Sequence, residues 1–241
     1  WNIAHNTTPD DARILIFDVA KKGYNWMEFG NVAHLAHPVV TDTREADRVL
    51  SWLNLEIEHR AEQQRTTPRF FILVDELKAL TDDSRVATAY LARLASTGGE
   101  FGLHLILATQ YPQISMLGSA ELKRNVTTRL CGRVDDAKAA ANALGMPDSG
   151  AETLGGYGDF LLRDLRGMTR LTIAHLQSQH IDVLPRGEIK SLDLPHDDVV
   201  NQATTRTRRA DELKPEQIAL ALFNPMSINK LQTALGIGGQ K

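Results

Sequence analysis

The sequence predicts an α/β domain with a mostly parallel sheet covered by helices, and three observations carry that prediction. Short apolar runs alternate with amphipathic stretches along most of the chain. Two of the runs, RFFILV (69–74) and LHLILA (103–108), lack polar alternation, as strands covered on both faces do. Both lead into polar residues at their C-terminal ends, the edge at which α/β sheets place ligand sites.

Taken in order, RILIF (13–17) is the first strand. A helix follows, because Asp42 and Glu45 have capping-box spacing and Ala46, Val49, Leu50, Leu53 and Ile57 recur at helical intervals. After the strand at 69–74, a helix is expected over 84–96, with Val86, Tyr90 and Leu94 on one face and Asp82 and Asp83 at its positive end. Beyond 103–108 come a strand at 128–134, a helix over 135–144 stopped by Gly145 and Pro147, and strands at 159–162 and 169–174. The main domain is therefore read as 1–180. Residues 181–214 read as a polar linker broken by Pro185 and Pro195. Pro215 can open a helix carrying Ile218 and Leu222, Asn224-Pro225 breaks it, and Ser227 can cap a second helix carrying Ile228, Leu231 and Leu235. Residues 215–241 thus resemble the start of a helix-turn-helix, with a short hairpin packed on the main domain as the alternative.

Composition narrows the function classes. The 241 residues hold 27 Lys+Arg against 30 Asp+Glu, a net charge of −3, which excludes a broad basic surface. Any nucleic-acid contact must be a local patch, or patches pooled in an oligomer. No run of about 18 apolar residues occurs, so no membrane span is expected in this chain, and the setting is read as cytoplasmic, with a membrane tether through a segment outside this chain left open. The single Cys131 excludes a disulfide framework and reads as a buried small hydrophobe. His34 and His37 lack further ligands at useful spacing and read as residues of a surface loop. Trp1 in place of an initiator Met suggests a fragment or a processed chain.

The chemistry concentrates in FFILVDE (70–76). Asp75 and Glu76 end an apolar strand; in P-loop ATPases an acid in this place holds magnesium, and its neighbour polarises the water that attacks the γ-phosphate. In LHLILATQYP (103–112), Thr109 and Gln110 end the next strand, placed to sense the γ-phosphate or that water.

Five stretches in fixed order, HPVVTD (37–42), FFILVDEL (70–77), GLHLILATQYP (102–112), ELKRNVTTRL (121–130) and GAETLGGYGDFLL (150–162), resemble the motor domain of the FtsK/SpoIIIE family of DNA translocases, within the FtsK–HerA group of ring ATPases. The resemblance spans roughly residues 10–177 and implies a RecA-like P-loop NTPase core, with 215–241 similar to the start of the family's winged-helix module. It implies ATP and Mg²⁺ as cofactors, double-stranded DNA as partner and a homo-oligomer, a ring of six subunits. By resemblance Asp75 would hold magnesium, Glu76 would activate water and Gln110 would sense the γ-phosphate beside Thr109. Gly150 and Gly158 would lie near the nucleotide base, although glycines in turns need no ligand to explain them. Lys123 and Arg124, after a pore-facing loop at 113–119, would grip DNA phosphates without reading sequence. The family's second DNA-facing arginine is replaced by Tyr111.

Two departures qualify the resemblance. GxxxxGK[ST] does not occur; residues 1–5 would fit the end of the helix that follows this loop in the family, so the chain as given is not expected to hydrolyse ATP. The family's arginine finger would fall near Gly99, leaving Arg93 as a candidate substitute and Arg129 as another. Two further functions stay open: a motor-like DNA-binding or scaffold subunit without hydrolysis, and a conjugation or secretion ATPase of the same superfamily.

Overall fold

A computed structural model describes residues 1–110 and 120–196. The pore-facing loop expected at 113–119, most of the expected linker and the helical unit expected at 215–241 lie outside the described residues. Strands β1 (Ala12–Phe17), β2 (Arg69–Val74) and β3 (Leu103–Leu107) form a parallel sheet in the order β1-β2-β3. The register pairs Phe17 with Val74 and Val74 with Leu107, so the three strands finish on one rim. Helices α1 (Asn2–Asn6), α2 (Thr43–Gln63), α3 (Leu77–Asp83), α4 (Ala87–Thr97) and α5 (Ala120–Asn125) accompany this sheet. Leu15, Phe17 and Ile72 of the strands are fully buried, as are Leu50 and Leu53 of α2 and Leu91 of α4. Each such side chain contributes about 1.5–3 kcal/mol by leaving water.

The α/β class holds, but the parallel sheet stops at β3. Strands β4 (Arg129–Cys131), β5 (Asp159–Asp164) and β6 (Gly167–Thr172) form a separate antiparallel sheet in the order β4-β5-β6. The short connection through Leu165 and Arg166 decides this, because strands joined so closely can only reverse direction. With α6 (Ala137–Leu144), this sheet buries a core of its own around Cys131, Ala140, Leu144, Leu154 and Leu161.

Asp42 caps α2 by accepting the Glu45 N–H at 3.0 Å. The helix expected at 84–96 is α4, and a separate helix, α3, precedes it. Asp82 and Asp83 finish α3 rather than opening α4, and Ser84 Oγ caps α4 by accepting the Val86 and Ala87 N–H groups.

The compact unit extends to His196, past the boundary expected at residue 180. Helix α7 (Ser178–Asp182) buries Ile181, and Ile181 and Leu184 join Ala4 and Val32 in a small cluster. The polar segment beyond is tied down by its own backbone. Ala33 N–H donates to Pro185 O, Gly187 N–H to Asn31 O, Leu192 N–H to His37 Nδ1, and Arg48 Nε to Pro195 O. Low hydropathy concealed this, because the attachment is made of main-chain hydrogen bonds and not of buried apolar side chains.

Candidate functional site

Hydrogen bonds carry the parallel ladder past the ends of its strands. Asp75 N–H donates to Phe17 O and Ala108 N–H to Val74 O, each at 2.9 Å, and Leu77 N–H donates to Ala108 O at 3.0 Å. Glu76, between two residues fixed in this way, takes a left-handed conformation with φ 54° and ψ 65° as the N-cap of α3. A residue with a Cβ pays roughly 1–2 kcal/mol there, a cost tolerated where a sharp strand-to-helix turn is needed. The turn aims the Glu76 carboxylate along the rim, where Oε1 accepts a hydrogen bond from Gln110 Nε2. Asp75 and Glu76 are half-buried, Thr109 likewise, and Gln110 is exposed. Two carboxylates and an amide from adjacent parallel strands thus share one open rim.

Asp18, at the end of β1 on the same rim, is fully buried and was not anticipated. Its carboxylate accepts Lys21 N–H at 2.9 Å and Gly23 N–H at 3.1 Å, which shapes the loop beside Asp75. The sequence signal was present in RILIFD, a third apolar strand ending in an acid.

Arg93 lies elsewhere. Its Nη2 pairs with Glu58 of α2 at 3.1 Å. Both residues sit in the later turns of helices that lead back toward the starts of β2 and β3, so they lie toward the opposite edge of the sheet. Lys123 and Arg124 occupy the last turn of α5, Lys123 half-buried and Arg124 exposed, and the helix is anchored by fully buried Leu122. The Arg129 guanidinium is occupied by main-chain carbonyls, those of Lys123 at 2.9 Å, Val126 at 3.3 Å and Ala143 at 3.5 Å. Burial, and then the Arg163 charge, lower its pKa from the ordinary arginine value.

Gly150 and Gly158 belong to the antiparallel unit, and each has a backbone reason to be glycine. Gly150 has φ 79° at the start of the 3₁₀ turn Ala151–Thr153. Gly158 has φ 91°, and a Cβ on it would stand 2.6 Å from Ile173 O. Beside them Asp159 is gripped by both Arg170 Nε and Nη2, and that pairing, helped by the Gly155 N–H, brings its pKa down to about 2.

His34 and His37 are buried, 0% and 3% exposed, and not surface-loop residues. His34 Nε2 lies 3.0 Å from Thr7 O, whereas His37 bridges Glu45 Oε1 at 3.1 Å and the Leu192 N–H. Glu45 therefore orients His37 at the start of α2. Fully buried Arg60 also escaped sequence reasoning, since arginine is seldom interior. Its Nε pairs with Glu56 at 2.7 Å, its Nη1 donates to Phe101 O, and its guanidinium stacks 5.1 Å over the Phe70 ring.

No group of three His, Cys, Asp or Glu among the described residues is arranged to hold a metal through protein ligands alone. The rim offers hard carboxylate oxygens from Asp75 and Glu76. That donor set suits magnesium, which binds through one or two carboxylates and completes its shell with water and phosphate. No helix among the described residues is long and apolar enough to cross a membrane.

No family model matches the chain. Curated proteins do: it is 27% identical over 216 residues to the DNA translocase FtsK of Oceanobacillus iheyensis, with 75% of the chain and 26% of that protein covered. It is 22% identical over 262 residues to the DNA translocase FtsK of Caldanaerobacter subterraneus subsp. tengcongensis, with 98% and 36% covered. The chain therefore spans about a quarter to a third of the length of these relatives. Among solved structures, the cytoplasmic domain of the type VII secretion ATPase EccC of Thermomonospora curvata superposes with a TM-score of 0.60 at 21% identity, covering 71% of the chain and 23% of that structure. The pCW3 conjugation coupling protein TcpA superposes with a TM-score of 0.56 at 20% identity, covering 70% and 56%. By sequence the chain is similar to FtsK-type DNA translocases, and it shares its fold with a secretion ATPase and a conjugation coupling protein.

Proposed function

We propose that the chain is part of an ATP-driven translocase subunit that moves double-stranded DNA, with nucleotide bound between subunits of a homo-oligomeric ring. The observation that carries this reading is the Glu76–Gln110 hydrogen bond across the rim of two adjacent parallel strands. The names of the relatives support DNA as the cargo. Magnesium–ATP, when bound, supplies a phosphorus centre activated for attack by water. Asp75 would hold the metal, and Glu76 would take up a proton from the attacking water. Gln110 keeps the Glu76 carboxylate oriented and can exchange that hydrogen bond for one to the γ-phosphate, so hydrolysis begins only when nucleotide is seated. Thr109, next to Gln110 after β3, would join it in sensing the γ-phosphate. Gly150 and Gly158 would shape a loop near the base. Arg93, directed away from its own rim, would serve only the nucleotide of a neighbouring copy. Lys123 and Arg124 would hold DNA phosphates.

The test uses the longer protein, with a phosphate-binding loop supplied. Glu76→Gln keeps the side chain's shape and its contact with Gln110 but removes the base. ATP binding should persist while turnover falls by about 10²-fold or more. Undiminished turnover would remove Glu76 as the base. Duplex binding without turnover in the unsubstituted protein would instead make it a holding subunit.

A further inference from the structure

Arg129 was a candidate for reaching a neighbour's nucleotide, yet its guanidinium is committed within its own chain. Nη2 and Nε donate to Lys123 O and Val126 O, at the C-terminal end of α5, and Nη1 donates to Ala143 O, at the C-terminal end of α6. These carbonyls are among the acceptors that a helix end leaves without intrahelical partners, and the negative ends of both helix dipoles favour a cation there. Arg163 reinforces the second end through Nη1 to Leu144 O. Residue 145 must then be small as well as left-handed. Gly145 has φ 71°, and a Cβ on it would lie 2.6 Å from Arg129 Nη1 and 2.9 Å from Arg163 Nη1. One planar group thus ties the short helix that carries Lys123 and Arg124 to the helix packed against the antiparallel sheet.

We propose that Arg129 is a positioning residue for the basic helix α5. It fixes the attitude of Lys123 and Arg124 relative to α6 and the antiparallel unit, so that movement of that unit is passed to the helix that grips DNA. A six-residue helix has little stability alone, and among the described residues buried Leu122 and this guanidinium help to hold it. Lysine cannot replace it, because a single ammonium cannot span carbonyls from two helices in the fixed geometry of the guanidinium fork. The positioning role rests on the DNA-gripping reading of α5; the clamp itself does not.

The experiment therefore has two arms. Hydrogen exchange is measured on the 241-residue chain as wild type, Arg129→Lys and Gly145→Ala. The clamp predicts about tenfold faster exchange across 120–126 and the last turn of α6 in Arg129→Lys, with β1–β3 unchanged. Gly145→Ala displaces the guanidinium without removing it and should loosen the same segments, which keeps the clamp testable if Arg129→Lys unfolds. Unchanged exchange at α5 in the folded variants overturns the clamp. In the second arm, duplex binding is measured on the assembled longer protein. Arg129→Lys preserves charge, so a direct phosphate contact would survive it, whereas a positioning role predicts about tenfold weaker binding. Wild-type binding by Arg129→Lys, where Lys123→Ala/Arg124→Ala does weaken binding, overturns the positioning role. If the double substitution itself changes nothing, the DNA reading of α5 falls and the positioning role falls with it, while the exchange arm still judges the clamp.

Discussion

Glu76 answers two demands with one residue, a carboxylate on the rim and a left-handed turn between β2 and α3. Only the first needs glutamate. Glu76→Gly should therefore cost no stability in denaturant unfolding, and relief of the backbone should raise it by up to about 1 kcal/mol, while the chemistry assigned to the carboxylate is lost. A clear loss of stability would show that the Gln110 contact outweighs the strain. Asp159 gives a second check at this scale. Arg170 holds its folded pKa at about 2, below the ordinary 3.8, so its contribution to stability is fully present above 3.8 and is lost as pH falls through about 2. A carboxyl titration followed by NMR should place the Asp159 midpoint near 2, and Arg170→Gln should return it toward the ordinary value. Because Arg170 is largely exposed, added salt should move the midpoint upward.

The starts of β2 and β3 are locked to the end of α2 by a backbone approach that admits no side chain. Gly102, leading into β3, has φ 74°, and a Cβ there would fall 2.1 Å from Thr66 O and 3.4 Å from Arg60 Nη1. Gly102 O also accepts the Phe70 N–H, so the strand cannot shift to make room without losing its pairing with β2. Gly102→Ala is expected to destabilise the chain by about 2–3 kcal/mol in chemical denaturation. Gly99→Ala, where a Cβ meets nothing within 4 Å, should be nearly silent. Comparable costs at the two positions would show that the approach is not rigid.

For the whole molecule the deciding quantity is charge. At −3 a single chain has little positive potential with which to hold duplex. A ring of six copies would bring about twelve charges from Lys123 and Arg124 to one channel, so binding should depend on assembly and weaken steeply with salt, because each neutralised phosphate releases condensed counterion. Lys123→Ala/Arg124→Ala should weaken duplex binding evenly across sequences and flatten the plot of log affinity against log salt, with nucleotide binding unaffected. Equal affinity of monomer and ring would remove both residues from the DNA contact.

The sequence by itself determined what local pattern controls. Unbroken apolar runs defined β2 and β3, Asp42 marked the start of α2, and the ordered stretches from HPVVTD to GAETLGG carried the resemblance to the translocases. It also brought Asp75, Glu76 and Gln110 to strand ends, because a strand's direction and its last apolar residue can be read locally. Only the tertiary structure decided the features that rest on long-range main-chain pairing. It separated β4–β6 from the parallel sheet, fastened the polar segment through Leu192 to buried His37, and turned Arg129 from a candidate finger into a link between two helix ends. Carbonyl and amide groups are the same at every residue, so the identity of a side chain records nothing about which distant backbone atom it will meet.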